Sequence, residues 1–297
     1  MNTEYTRTVK TLAVAGFMVI TIIWGSTFVV MKNSIDMLSP ASVLAYRFTI
    51  ASVGMAIVFH RRLRMMNRQN LHCGIVLGIL LGFSYIFQTY GLQYTTASKN
   101  AFITTLYVII VPFLHWLFNG VEPGKNNLIA AVIAVIGLAF ISLNGEKGIN
   151  LGDFLTFLCS VCLAWHMVYV DRYTQHHDPI VLTVMQIVVS TGMFWVLTLL
   201  TEGVGNLEAL ANPQTAGSLL YLGIIASMVG FLGQNVGQKY VSANTASILM
   251  SFESVFGLIF SVIFLKESVT VKMLTGCAMM FAAAIISEYR PGIRKGD

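Results

Sequence analysis

Ten apolar runs of about 20 residues alternate with short polar segments along the chain, a length that matches a helix crossing a bilayer core. They fall at about 12–31, 40–59, 73–90, 98–118, 127–143, 152–170, 179–200, 215–235, 243–265 and 271–289. A bilayer admits backbone only when its polar groups are satisfied internally, so these runs predict ten transmembrane helices and an all-α membrane protein. The run after Lys10 lacks a small-residue cleavage pattern at its end and reads as a first span, not a cleaved signal.

The second five runs echo the first five. Gln88, Gly91, Tyr94, Ala101 and Glu122 recur as Gln234, Gly237, Tyr240, Ala246 and Glu267, with one residue gapped between Tyr and Ala. The interval from Ala to Glu is 21 residues in both copies. Trp24 pairs with Trp165, Pro40 with Pro179, Arg47 with Gln186, and Gly78 with Gly223. The echo divides the chain into five-helix units at 1–145 and 146–297. Five is odd, so the two units lie upside down relative to each other, an inverted repeat of the kind secondary carriers use to build a midplane site.

Lys and Arg placement sets the orientation. With a cytoplasmic N-terminus, the inner segments hold twelve basic residues, among them Arg7, Lys10, Arg61, Arg62, Arg64, Arg68, Arg290, Arg294 and Lys295. The outer segments hold five: Lys32, Lys99, Lys147, Lys266 and Lys272. An even number of spans then puts both termini in the cytoplasm. The basic block from His60 to Arg68 is the simplest positive-inside anchor, with an anionic-lipid site as the other reading.

Composition narrows the function. The chain is 56% hydrophobic and 10% charged, far from the quarter charged of a soluble domain. Ten spans leave nothing over for a soluble enzyme domain. The net charge of +5 reflects cytoplasmic loops and no nucleic-acid footprint. Cys73, Cys159, Cys162 and Cys277 all sit in apolar runs and suggest no disulfide framework. His115, His166, His176 and His177 form no metal-ligand spacing. No phosphate-binding loop, zinc-protease motif or nucleophile elbow occurs, which disfavours an ATP-driven pump and a membrane enzyme.

Trp24-Gly25-Ser26-Thr27-Phe28, then Pro40 and Ala45-Tyr46-Arg47-Phe48, resemble the opening of the EamA family in the drug/metabolite transporter (DMT) superfamily. The fourth run, Ala101 to Pro112, is similar to that family's corresponding helix. The ninth carries Phe252-Glu253-Ser254 and then Leu265-Lys266-Glu267, similar to the family's Glu-Pro pair and terminal Glu. Ser254 stands where Pro is usual, so no proline kink is dictated there. The resemblance implies a ten-helix inverted-repeat carrier, commonly an exporter of amino acids or related metabolites, without a bound cofactor. It leaves the substrate open, because a shared fold does not transfer a substrate.

Polar residues inside the runs are the candidate site. Glu253 lies about ten residues into its span, roughly 15 Å deep. A charge there must be paired, hydrated or protonated. It reads either as a cavity carboxylate that binds an amine or a coupling proton, or as a hydrogen-bonded lock between helices. Arg47 could pair with Glu253, hold a substrate carboxylate or bind helix-end carbonyls. Tyr85, Gln88, Gln234 and Asn235 form an amide-rich layer suited to a wet cavity. Trp24 is a cavity candidate; Trp165 suits an interfacial belt. Gly74, Gly78 and Gly82, and Gly233 and Gly237, repeat at four-residue spacing and predict close helix packing.

These readings converge on a secondary or facilitative exporter of small metabolites in the inner, plasma-type membrane, most simply of amino acids or their relatives. Its partners would be a small-molecule substrate and the lipid bilayer, with no nucleic acid and no cofactor. A carrier of sugar-phosphates or nucleotide-linked sugars is the alternative, although Arg47 alone is clearly basic within a span. A membrane enzyme and a receptor or channel are further alternatives.

Overall fold

A computed structural model describes residues 7–64, 67–120, 122–142, 150–201, 203 and 208–288. Lys147, Arg290, Arg294, Lys295, the 145/146 boundary and the ends of the fifth and tenth runs at 143 and 289 lie outside the described residues. Among the described residues the fold is helical, without strands. The helices are α1 (Arg7–Ile35), α2 (Pro40–Leu63), α3 (Arg68–Tyr94), α4 (Ala97–Thr104), α5 (Tyr107–Asn119) and α6 (Lys125–Ser142). They continue as α7 (Leu151–Thr174), α8 (Pro179–Thr201), α9 (Pro213–Leu220), a π-helical stretch (Tyr221–Val229), α10 (Gly230–Gln238), α11 (Ala243–Phe264) and α12 (Val271–Glu288). Eight helical segments are long and apolar enough to cross a bilayer, and two shorter apolar stretches lie at Lys125–Phe140 and Val271–Ala283.

Helix starts are written in the sequence. Ser39 accepts a hydrogen bond from the Ser42 amide and is followed by Pro40, whose missing N–H costs nothing in a first turn. Asn67, Thr96, Asn212 and Ser242 cap α3, α4, α9 and α11 in the same way. Asn150 and Asp153 form a reciprocal capping box on α7.

Two spans are less regular than an apolar run predicts. The fourth is broken at Thr105 and Leu106 into α4 and α5. Thr105 Oγ1 donates back to the Phe102 carbonyl, a bond that bends helices, and Pro112 removes one ladder bond further on. The eighth runs α-helix, π stretch, α-helix from Pro213 to Gln238. By contrast α11, where Ser254 replaces the family's proline, is unbroken for 22 residues.

The helices pack in exchanged pairs. α1 lies on α11, and its counterpart α7 lies on α4 and α5. α3 lies on α7, and α10 lies on α1; α3 also packs on α8, as α2 packs on the π stretch. α2–α8 and α6–α12 pair like with like. Small residues allow these approaches. A Cβ on Gly25 would fall 2.4 Å from Phe256 Cβ, and one on Gly74 would fall 2.3 Å from Met185 Cβ. The Gly74, Gly78 and Gly82 stripe therefore seats α3 on α8. Gly233 and Gly237 face Ile20 and Phe17 of α1.

Candidate functional site

The polar residues of four spans meet where the two sets of helices cross. Trp24 (α1), Tyr85 and Gln88 (α3), Gln234 (α10) and Glu253 (α11) line one small cavity of about 30 Å³. Thr104, Tyr107, Leu163, Met167, Phe231 and Met250 complete its wall.

Glu253 supplies the acidic pole. It is 5% exposed, and Tyr107 Oη donates to its Oε1 at 3.2 Å. Among the described residues it has no ion-pair partner. A carboxyl this deep without a cation is costly as an anion. It is suited to take up either a proton or a cationic group from a ligand.

The aromatic wall is held in place by backbone and glycine. Trp24 Nε1 donates to the Ala226 carbonyl at 2.8 Å. Ala226 lies in the π stretch. A Cβ on Gly230 would stand 2.5 Å from Trp24 Nε1, so only glycine lets the indole come this close to α10. Phe231 packs between Trp24 and Tyr85, with ring centroids 5.4 and 5.7 Å away.

Hydrogen-bonding side chains fill the remaining wall. Gln88 Nε2 donates to Thr104 Oγ1 at 3.2 Å. Gln234 Nε2 donates to Gln238 Oε1 at 3.0 Å, and Gln238 in turn donates to the Met167 carbonyl. The combination of one carboxyl, amides, hydroxyls, aromatic faces and thioethers suits a small amphipathic molecule.

Arg47 and Asn235 stand behind this wall, not in it. Arg47 is 1% exposed; its Nε donates to Ser227 Oγ at 2.7 Å and its Nη2 reaches Tyr85 Oη at 3.5 Å. Its guanidinium carbon lies 4.8 Å from the centre of the Tyr85 ring, a cation–π approach. It makes no ion pair with Glu253, so the direct Arg47–Glu253 pairing is not the arrangement found. Tyr85 links the buried cation to the cavity. Asn235 Nδ2 donates to Thr183 Oγ1 at 2.9 Å and thereby ties α10 to α8.

The sequence pattern passed over Tyr107 and Thr104. Both belong to the fourth run quoted for its resemblance, but hydroxylated residues are common in spans and nothing in that run marks these two. Gln186, the repeat partner of Arg47, is fully buried against His166 Nε2 at 3.0 Å. Trp165 does not stand alone at an interface: it packs edge-on against Phe118 and stacks on Tyr169. Among the described residues no cluster of His, Cys, Asp or Glu could hold a metal ion.

A second cavity of about 320 Å³ lies further along α7. Met167 lines the central one, and the next residue, Val168, lines the second with His115, Phe118, Tyr169, Asp171, Arg172 and Gln175.

Comparison with known proteins agrees with this architecture. The EamA-like transporter family matches residues 11–143 and 150–289. An "Uncharacterized transporter" of Archaeoglobus fulgidus is 30% identical over 278 residues, covering 93% of this chain and 85% of that protein. "Uncharacterized transporter YoaV" of Bacillus subtilis is 24% identical, covering 94% and 98%. A "Probable amino-acid metabolite efflux pump" of Salmonella typhimurium is 26% identical, covering 94% and 95%. One crystal structure superposes with a TM-score of 0.70 at 16% identity, covering 93% of this chain and 97% of that one, a likeness of fold. The chain is thus an integral, multi-pass membrane protein, and it belongs to the EamA-like transporter family of the DMT superfamily.

Proposed function

We propose that this transporter is a secondary carrier of the inner, plasma-type membrane that exports amino acids or related amphipathic metabolites by alternating access. In this reading all ten apolar helices span, both termini are cytoplasmic, and the units 1–145 and 146–297 are inverted repeats. α6 and α12 have 18 residues each, about 27 Å of helix, which is near the thickness of a bilayer core. The exchanged packing pairs support the repeat. The Salmonella relative's name agrees with the substrate class.

The observation that carries the reading is Glu253: a buried carboxyl facing a cavity between the two sets of helices, with a tyrosine beside it and, among the described residues, no cation. A substrate ammonium and a proton compete for such a group. If only one can occupy it at a time, loading the substrate from inside releases a proton, and reprotonation from outside releases the substrate. That exclusion is antiport, and an acid-outside gradient then accelerates export. Arg47, a buried guanidinium without a carboxylate within ion-pair reach among the described residues, adds a positive field through Tyr85 that favours a substrate carboxylate on the side of the cavity away from Glu253. The test is transport by purified protein in proteoliposomes with and without a pH gradient. Wild type should accelerate with the gradient, and Glu253→Gln should lose the dependence; equal response of the two proteins removes Glu253 from the coupling.

A further inference from the structure

At one end of the bundle, the outer end in the proposed topology, Glu267 joins the two sets of helices. Its carboxylate accepts from the Ala97 amide at 2.8 Å, the Ser98 amide at 3.2 Å and the Ser98 hydroxyl. These amides are the free donors of the first turn of α4, where a negative charge is stabilised. The segment after α11 is thereby fastened to the start of α4, which ties the two halves together at that end.

The internal repeat assigns a counterpart at the other end. Ala101 matches Ala246 and Glu122 matches Glu267, so Ser98 matches Ala243, the first residue of α11. By this register Glu122 belongs on the Ala243 amide. It is not there. Asp171 Oδ2 accepts from Ala243 N at 3.2 Å, while Glu122 is exposed and makes no hydrogen bond or ion pair among the described residues. Asp171 has no acidic counterpart in the first half, where Val30 occupies its place. This is also the end where the 320 Å³ cavity lies, with Asp171 in its wall.

We propose that Glu122 is a second latch, which displaces Asp171 from the start of α11 when the inner end closes, as Glu267 releases α4 when the outer end opens. One helix N-terminus cannot seat two carboxylates without repulsion, so the two acids exclude each other. Each latch is a set of charge-assisted hydrogen bonds. Exchange of one for the other leaves the two end states near in energy, which a carrier requires.

This proposal rests on the alternating-access reading, and its test needs no substrate. Val168→Cys places a reporter in the inner cavity of a chain carrying Cys162→Ser, and a membrane-impermeant maleimide is applied from the inner face. The parent should label fast. Glu267→Ala weakens the outer latch and should slow labelling about tenfold, the effect of losing one such charged interaction on a two-state equilibrium. Glu122→Ala added to Glu267→Ala should restore it. Asp171→Asn, which leaves the α11 start open to Glu122, should also slow labelling, and Glu122→Ala should reverse that slowing without any change at the outer end. Labelling that stays slow in both Glu122→Ala combinations, or that is never slowed by Glu267→Ala or Asp171→Asn, overturns the latch. Failure to exchange any substrate, with this labelling pattern intact, would count against the carrier reading alone.

Discussion

Tyr107 places its hydroxyl 3.2 Å from Glu253 and is itself almost fully buried. A hydrogen bond to a charged group contributes about 1.5–3 kcal/mol. Tyr107→Phe should therefore disfavour the ionised carboxylate and weaken binding of a cationic substrate by about tenfold or more while leaving the protein folded, since the ring still fills its place. Substrate-dependent thermal stabilisation of the purified variant measures this; an unchanged midpoint concentration would show that the hydroxyl does not serve the cavity. Five of the seven residues picked from the sequence (Trp24, Tyr85, Gln88, Gln234 and Glu253) line the cavity, because polar and aromatic groups stand out within apolar runs. Arg47 and Asn235 stood out equally, but Ser227 and Thr183 meet them behind the wall. Such pairings join residues 180 and 52 positions apart, which no local pattern can display. Leu163, Met167 and Met250 were invisible for the opposite reason: an apolar residue in an apolar run carries no signal.

Among the elements, the π stretch from Tyr221 to Val229 and the break at Thr105 and Leu106 shape the cavity, and hydrophobicity registers neither. The periodicity of apolar residues is blind to a one-residue shift in hydrogen-bond register when both faces are apolar. Caps and glycine stripes are more legible, because Ser, Asn and Gly act through local backbone geometry and close approach. Gly230→Ala should displace Trp24, whose Nε1 would lie 2.5 Å from the new Cβ. Tryptophan fluorescence should shift and transport should fall, with the helical content kept; wild-type transport would show that the indole position is not required. Gly78→Val should be purely structural. Its Cβ would stand 2.6 Å from Val189 Cβ and 2.8 Å from the Gln186 carbonyl. Overpacking of this kind costs about 1–3 kcal/mol, so the melting temperature in detergent should drop, and an unchanged value would contradict the tight α3–α8 seam.

For the molecule as a whole, the basic-residue asymmetry predicts that the start of α11 faces the cytoplasm and the start of α12 faces outward. Thr245→Cys should then resist an impermeant maleimide in intact cells, and Val271→Cys should react; the reverse would invert the assigned orientation. The repeat was legible from spaced pairs such as Ala101–Glu122 and Ala246–Glu267. What the pattern could not show is that Glu267 sits on the start of α4 while Glu122 does not sit on the start of α11, because those contacts join residues far apart in sequence. The central claim is that the cavity between the helix sets carries a small metabolite across the membrane. Counterflow in proteoliposomes preloaded with pooled amino acids and related metabolites tests it most directly. The account predicts saturable entry of labelled members of one pool, strongly reduced by Glu253→Gln. No exchange with any pool by folded wild-type protein, or exchange indifferent to Glu253, would contradict it.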